Sequence, residues 1–298
     1  TALCFFSTSS PDAASGCGGF KEALSKYVCA DGKCYADVFI NTIKFSLFSI
    51  RACALDDLTK LNITVLQAYT LYRSYQEWYE NFDGMSAVEV AYSVSLPEFD
   101  GIIHSCPVTT MERDAEGKQV TQEIAERMNM LVRKAKKLAL LRIKPNAEKK
   151  IAIVFHNHPS TNSNIGSCSA IDSIESVRLL LQDLRDAGYV VDHIPADRQE
   201  FIDELIAGAT NDRDYMSEKQ IDNADAKLLV SAYRDYYKTL PEKVQQRLEQ
   251  DWGEAPGEVF FYDDFLLIPG TMNGNIFITM QPPRGFGEDP DKIYHSPD

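Results

Sequence analysis

The chain has 298 residues, 44% hydrophobic and 25% charged, enough apolar material for a real core, which excludes bulk disorder. Its formal net charge of −14 argues against nucleic acid or anionic lipid as the main partner. No apolar run approaches the ~20 residues that would cross a bilayer, so no membrane partner is expected.

The opening Thr1-Ala2-Leu3-Cys4 has no initiator Met, basic segment or long apolar stretch. It reads as a piece of a longer cytoplasmic chain with no signal peptide. Leu3 to Ser7 reads as a strand running into a loop, and residues 20–27 as a short helix. Val38-Phe39-Ile40-Asn41 and Ile63 to Ala68 are rich in β-branched residues and read as buried strands. A helix is expected to begin at Ser86. The turn-rich Leu96-Pro97-Glu98-Phe99-Asp100-Gly101 leads into a strand at Ile102-Ile103-His104.

A polar break at Glu112–Lys118 precedes the longest helical pattern, Gln119 to Lys144. There Val120, Ile124, Met128, Leu131, Ala135, Leu138 and Leu141 step by three or four along one face. Charge is uneven. Residues 113–150 carry 11 basic and 5 acidic side chains, against 12 and 26 in residues 151–298, and the basic stretch reads as a solvated helix face. Ile151 to Phe155 is a continuous apolar run, as in a parallel strand buried on both faces. Asp172 or Ser173 then caps a helix carrying Ile174, Val177, Leu181 and Leu184, Gly188 ends it, and Tyr189-Val190-Val191 reads as the next strand of a βαβ unit. Residues 217–250 read as mostly helical, and Phe260–Ile268 and Asn275–Met280 as strands. The expected fold is α/β: two open, mainly parallel-sheet units joined by a long helix. Its parts are an N-terminal unit (1–112), a linking helix region (113–148) and a second unit (149–298).

Seven cysteines, with no C-x-x-C pair, fit reduced thiols, and Cys17, Cys29 and Cys34 lack thiolate-zinc spacing. The chain has no G-x-x-x-x-G-K-[ST], H-E-x-x-H, G-x-S-x-G or G-x-G-x-x-G. Two places carry chemistry. His156 and His158 lie two apart at the end of the 151–155 strand, where open parallel sheets bind ligands. They would hold a divalent metal given a third ligand; otherwise one bonds loop backbone and the other is solvated. The Gly- and Pro-rich stretch from Gln281 to Pro290 holds Arg284, a fork for a carboxylate, with Glu288 and Asp289 as proton acceptors, or else forms a turn with a surface ion pair.

Several further motifs resemble the large subunit of the class I, ATP-dependent tetrapyrrole metal chelatases. They are Lys150 to Asn157, Asn164-Ile165-Gly166 through Asp172, Pro195-Ala196-Asp197, Trp252-Gly253, Ile268-Pro269-Gly270 and Gly274 to Phe277. Most specific is Gln281-Pro282-Pro283-Arg284-Gly285 with Glu288-Asp289-Pro290 and Tyr294-His295; this form looks like the cobaltochelatase branch more than the magnesium one. Upstream, Leu96 to Gly101 is also similar. Residues 64–111 and 149–298 carry the likeness; residues 1–60 carry little.

The resemblance implies a subunit that binds a tetrapyrrole and a divalent metal substrate, Co2+ expected and Mg2+ the alternative. Separate AAA+ subunits would hydrolyse the ATP, which is not bound here. It implies His156 and Glu288 as catalytic residues, and Asn157, Asn164, Gly166, Asp172, Gln281 and Arg284 as macrocycle-binding. His156, Glu288 and Asp289 would hold the metal. The piece alone would be inactive. Two features depart from the pattern: His158 stands where the family usually has Tyr, and Cys168 and Ala170 replace two loop glycines. Two other readings remain, a tetrapyrrole-binding module without insertion activity and an α/β small-molecule domain with chelatase-like loops. The His156–Asp172 and Gln281–Asp289 loops are expected to converge on one face.

Overall fold

The structure, a computed structural model, describes residues 28–30, 33–44, 46, 62–81, 84–257 and 259–283. The expected strand at 3–7, the helix at 20–27, and Cys4, Cys17 and Cys53 lie outside them, as do Arg284, Glu288, Asp289 and the Tyr294-His295 motif. The chain divides into two units, Thr1–Lys144 and Pro145–Asp298.

In the first unit a small hairpin, β1 (Cys29–Ala30) and β2 (Lys33–Cys34), sets Cys29 opposite Cys34. The main sheet has the order β3-β4-β5-β6, with β3 at Val38–Asn41, β4 at Thr64–Thr70, β5 at His104–Arg113 and β6 at Gln119–Glu123. Its central pairs β3/β4 and β4/β5 are parallel, and β5/β6 is an antiparallel hairpin. Between β4 and β5 come α1 (Tyr75–Glu80), α2 (Ala87–Val90), a π-helical turn over Ala91–Ser95, and α3 (Leu96–Phe99). As expected, α2 starts at Ser86, whose hydroxyl and Glu89 form a reciprocal cap.

The helix read over 119–144 is shorter. Residues 119–123 are β6, and α4 runs over Ala125–Ile143. Asp114 explains the difference. Its carboxylate accepts from the Glu116 and Lys118 N–H groups, closing a tight turn that folds Gln119–Glu123 back along β5. The middle of the apolar stripe does what its spacing promised: Met128, Leu131, Ala135 and Leu138 of α4 pack on Leu66 and Ala68 of β4 and Cys106 and Val108 of β5, whereas Val120 on β6 and Leu141 near the end of α4 are exposed.

The second unit centres on β7 (Ile151–Phe155), followed by α5 (Ser173–Asp186) and α6 (Arg198–Ala207). After them come α7 (Glu218–Asp222), β8 (Lys227–Leu229), α8 (Val230–Tyr237) and α9 (Glu242–Trp252). The chain then forms β9 (Phe261–Tyr262), β10 (Phe265–Leu267), β11 (Gly270–Asn273) and β12 (Ile276–Met280). One sheet, β11-β12-β7, pairs β12 with β7 in parallel and β11 with β12 antiparallel; the other, β8-β10-β9, is antiparallel throughout.

Two expectations about β7 are corrected. Tyr189–Val191 is not a strand among the described residues; the parallel neighbour of β7 is β12, more than a hundred residues further on. The segment instead runs past the sheet end, where the Val190 carbonyl accepts from the Asn275 N–H. Nor is β7 buried on both faces: Ile151, Ile153 and Phe155 face α5 and α6, whereas Ala152 and Val154 are exposed. Both helices lie on one face, where Ile174, Leu181, Phe201 and Leu205 build the core with Ile276 and Ile278. Asp172 caps α5, and Gly188 follows its end with φ +84°, as the sequence predicts. Among the described residues no helix is long and apolar enough to cross a membrane.

Candidate functional site

Parallel pairing sets two chain exits side by side. Phe155 pairs with Met280 at the ends of β7 and β12, and the Gln281 N–H donates to the Phe155 carbonyl at 2.7 Å. His156 and Gln281 therefore leave the same edge of the sheet. An open parallel sheet presents unpaired backbone and diverging loops at that edge, which is where it binds ligands.

Burial alternates beyond β7, with His156 and His158 exposed and Asn157 between them buried. The loop closes back on the strand end: the Gly166 N–H donates to the His156 carbonyl at 2.8 Å, and His156 Nδ1 lies 3.2 Å from the Ser167 hydroxyl. Asn157 bridges Ile165 and donates its amide to the Thr161 carbonyl at 2.9 Å. Asn164 donates to the Thr161 hydroxyl. Gly166 has φ +73°, and a Cβ there would stand 2.7 Å from the Ser173 hydroxyl and 2.9 Å from Ile174 Cδ1. Only glycine fits where this loop crosses the start of α5.

Asp172 has a structural task. Its carboxylate accepts from the Glu175 N–H at 3.1 Å as the cap of α5 and pairs with Arg198 at 3.2 Å. The Glu175 hydrogen bond, followed by the Arg198 charge, holds its pKa below the usual carboxylate range. Arg284, Glu288 and Asp289 lie outside the described residues, so of the expected metal ligands only His156 is placed.

Missing from the sequence reading is Thr210-Asn211-Asp212, a buried polar segment after α6. Asn211 Nδ2 donates to the Gln281 carbonyl at 2.8 Å and lies 3.4 Å from Asn157 Oδ1. Asp212 Oδ2 accepts from the Asn162 N–H at 2.9 Å. One dipeptide thus ties the exit of β12 to the start and the middle of the loop after β7. Asn162 Oδ1 and Asn211 Oδ1 are buried without a hydrogen-bond donor among the described residues. Buried acceptors without partners are costly and cluster where function requires them. The only sequence signal was a string of turn-forming residues, common in any loop.

The arrangement offers an exposed imidazole next to a strand exit, held by a loop whose backbone is pinned from beneath. An imidazole there can accept a proton or ligate a borderline divalent cation.

The family model described as CobN/Magnesium Chelatase matches residues 1–298. The chain is 37% identical over 290 residues to an uncharacterized protein of Methanocaldococcus jannaschii, covering 94% of this chain and 24% of that one. It is 30% identical over 269 residues to the aerobic cobaltochelatase subunit CobN of Pseudomonas aeruginosa, covering 88% of this chain and 21% of the relative. Its fold resembles the catalytic subunit of cobaltochelatase from Mycobacterium tuberculosis with a TM-score of 0.74 at 29% identity, covering 93% of this chain and 23% of that subunit. The chain thus spans between a fifth and a quarter of the length of these relatives. Matched along its whole length by the family model, with sequence and fold likenesses that agree, the chain belongs to the CobN/magnesium chelatase family.

Proposed function

We propose that this chain forms part of the large, tetrapyrrole- and metal-binding subunit of an ATP-dependent, cytoplasmic metal chelatase of the cobalt type. The observation that carries the reading is the paired exit of His156 and Gln281 from adjacent parallel strands, in a chain of this family. The Gln-Pro-Pro-Arg-Gly run beginning at Gln281 supports the cobalt branch over the magnesium branch.

Insertion of a divalent cation into a tetrapyrrole releases two pyrrole protons. The site must accept protons and hold the ion by ligands that let go. In this reading His156 serves both needs at the end of β7. Glu288 and Asp289, seven and eight residues beyond Gln281, supply carboxylates, and Arg284 binds a peripheral carboxylate of the ring. Asn157, Asn164, Gly166 and Gln281 shape the rim, while the capping role of Asp172 favours holding α5 over touching the ring. ATP is hydrolysed by AAA+ partner subunits, in keeping with a chain that has no phosphate-cradling motif.

The test uses the full-length subunit assembled with its partners. His156→Ala and Glu288→Gln are expected to lower cobalt insertion at least tenfold while tetrapyrrole binding and the circular dichroism spectrum stay intact. Unchanged insertion in both folded variants would reduce these residues to scaffold.

A further inference from the structure

A second group of chemically active side chains gathers at the other end of the β11-β12-β7 sheet. Asn273 ends β11 and pairs with Ile276, which in turn pairs with Ile151 at the start of β7. His156 follows the far end of the same strand. The two places are separated by the length of β7, about 13 Å at roughly 3.3 Å per residue.

Asn273 holds an extended segment in place there. Its Oδ1 accepts from the Asp192 and His193 N–H groups at 2.9 Å each, and its Nδ2 donates to the His193 carbonyl at 2.7 Å. The backbone of His193 is therefore fixed by a side chain from another element. Facing it, Glu200 and Glu204 lie one turn apart on α6 and share a helix face. One ligand atom from each of the three residues lies within 4.8 Å of the other two, and His193 Nε2 stands 2.9 Å from a Glu204 oxygen.

The composition of this group sets it apart from an ordinary acidic surface. Oxygen-only clusters suit Ca2+ or Mg2+, and only weakly when exposed. One imidazole nitrogen with two carboxylate oxygens is a donor set for borderline ions such as Zn2+ or Co2+, and its two negative charges balance the cation. Neighbouring groups do not compete. Arg198 is engaged with Asp172, and the Asp197 carboxylate caps α6 by accepting from the Glu200 N–H. Glu200 commits one oxygen to the Ala196 N–H, which leaves its second for an ion. Bonds of about 2.0–2.2 Å require the ligand atoms to close to roughly 3.4 Å. With the ligand atoms already within 4.8 Å of one another, side-chain adjustments of about 1.4 Å or less reach that spacing.

We propose that His193, Glu200 and Glu204 form a binding site for a divalent transition-metal ion, completed by water and separate from the strand-exit site. In the apo state a hydrogen bond between His193 and Glu204 takes the ion's place. The inference does not rest on the chelatase reading, because its ligands share no residue with that site.

The test is a titration of this chain with Zn2+, followed by calorimetry and by the histidine resonances in NMR. The His193 ring signal is expected to shift with the first equivalent. His193→Ala and Glu204→Gln are expected to weaken that equivalent at least tenfold, and His156→Ala to leave it unchanged. A first equivalent that leaves the His193 signal in place, or one bound equally by folded His193→Ala, would overturn the proposal.

Discussion

The two main sheets share a plan, parallel strands at the centre with an antiparallel strand at one edge, yet they close their strand ends with different chemistry. Beyond β4 in the first unit, a buried carboxylate draws the chain together. Glu89 accepts from the Tyr72 and Ser86 N–H groups at 2.8 and 2.9 Å, from the Ser86 hydroxyl at 2.8 Å and from Arg73 at 3.3 Å. Beyond β7 and β12 in the second unit, amides do most of this work, with the Asp212 carboxylate accepting the single Asn162 N–H: Asn157, Thr210 and Asn211 are buried, and two amide oxygens keep spare accepting capacity. A carboxylate saturated by four donors locks a strand end. An amide network holds the backbone in register and still has hydrogen-bonding capacity for something else. The same position in the topology is thus a structural clasp in one unit and a candidate site in the other.

Breaking the clasp should have the largest effect. Glu89→Ala removes a buried acceptor from two backbone N–H groups and a half-buried guanidinium and should cost about 3 kcal/mol. Urea unfolding followed by Trp78, which packs beside Tyr69, Leu71 and Ile124, measures it in a Trp252→Phe background. Acid should reach the same interaction. Burial alone would raise the Glu89 pKa, but the Tyr72 and Ser86 N–H groups, the Ser86 hydroxyl and Arg73 outweigh it and hold the pKa below the usual range. A lowered folded-state pKa means that the stabilisation is present above about pH 4.5, the ordinary carboxylate range, and is lost as pH falls through the depressed value. Stability of the first unit, read by Trp78, should therefore fall steeply on acidification, and Glu89→Gln should flatten that dependence.

Cutting the amide network should cost less. Asn211→Ala removes the amide that donates to the Gln281 carbonyl and should destabilise the second unit by about 1–2 kcal/mol, read by Trp252 in a Trp78→Phe background. An effect as large as that of Glu89→Ala would erase the distinction between the two strand ends. The smallest change is expected from Asp172→Ala, which removes an exposed helix cap and an ion pair with Arg198. Asp172→Asn, which keeps a capping oxygen, should recover most of that loss in thermal unfolding. Failure to recover it would point to the charge instead of the cap.

Much of the helical structure was legible along the chain. The stripe from Met128 to Leu138, the Ser86 and Asp172 caps and Gly188 all depend on residues within a few positions of one another, and each is found where local spacing puts it. Strand pairing was harder to read. Gln119–Glu123 kept a helical spacing of apolar residues and still became β6, because the Asp114 turn delivers it to a ready partner in β5. Tyr189–Val191 had the composition of a strand, but the segment runs past the sheet end, where the Val190 carbonyl accepts from the Asn275 N–H, and β12 is the strand that pairs with β7.

The candidate site divides in the same way. From sequence alone came the position of His156 at a strand end, the glycine at 166 and the resemblance that the comparisons bear out. These rest on local spacing and on motifs written contiguously in the chain. Tertiary structure decided that Gln281 emerges beside His156, that Asn211 ties the two exits together and that His193 meets Glu200 and Glu204. Each depends on burial or pairing between segments far apart in sequence, brought together by the pairing of β7 with β12 and the packing of α5 and α6 on that sheet. The free energy of a polar group is set by what surrounds it in space, which neighbours in sequence do not specify.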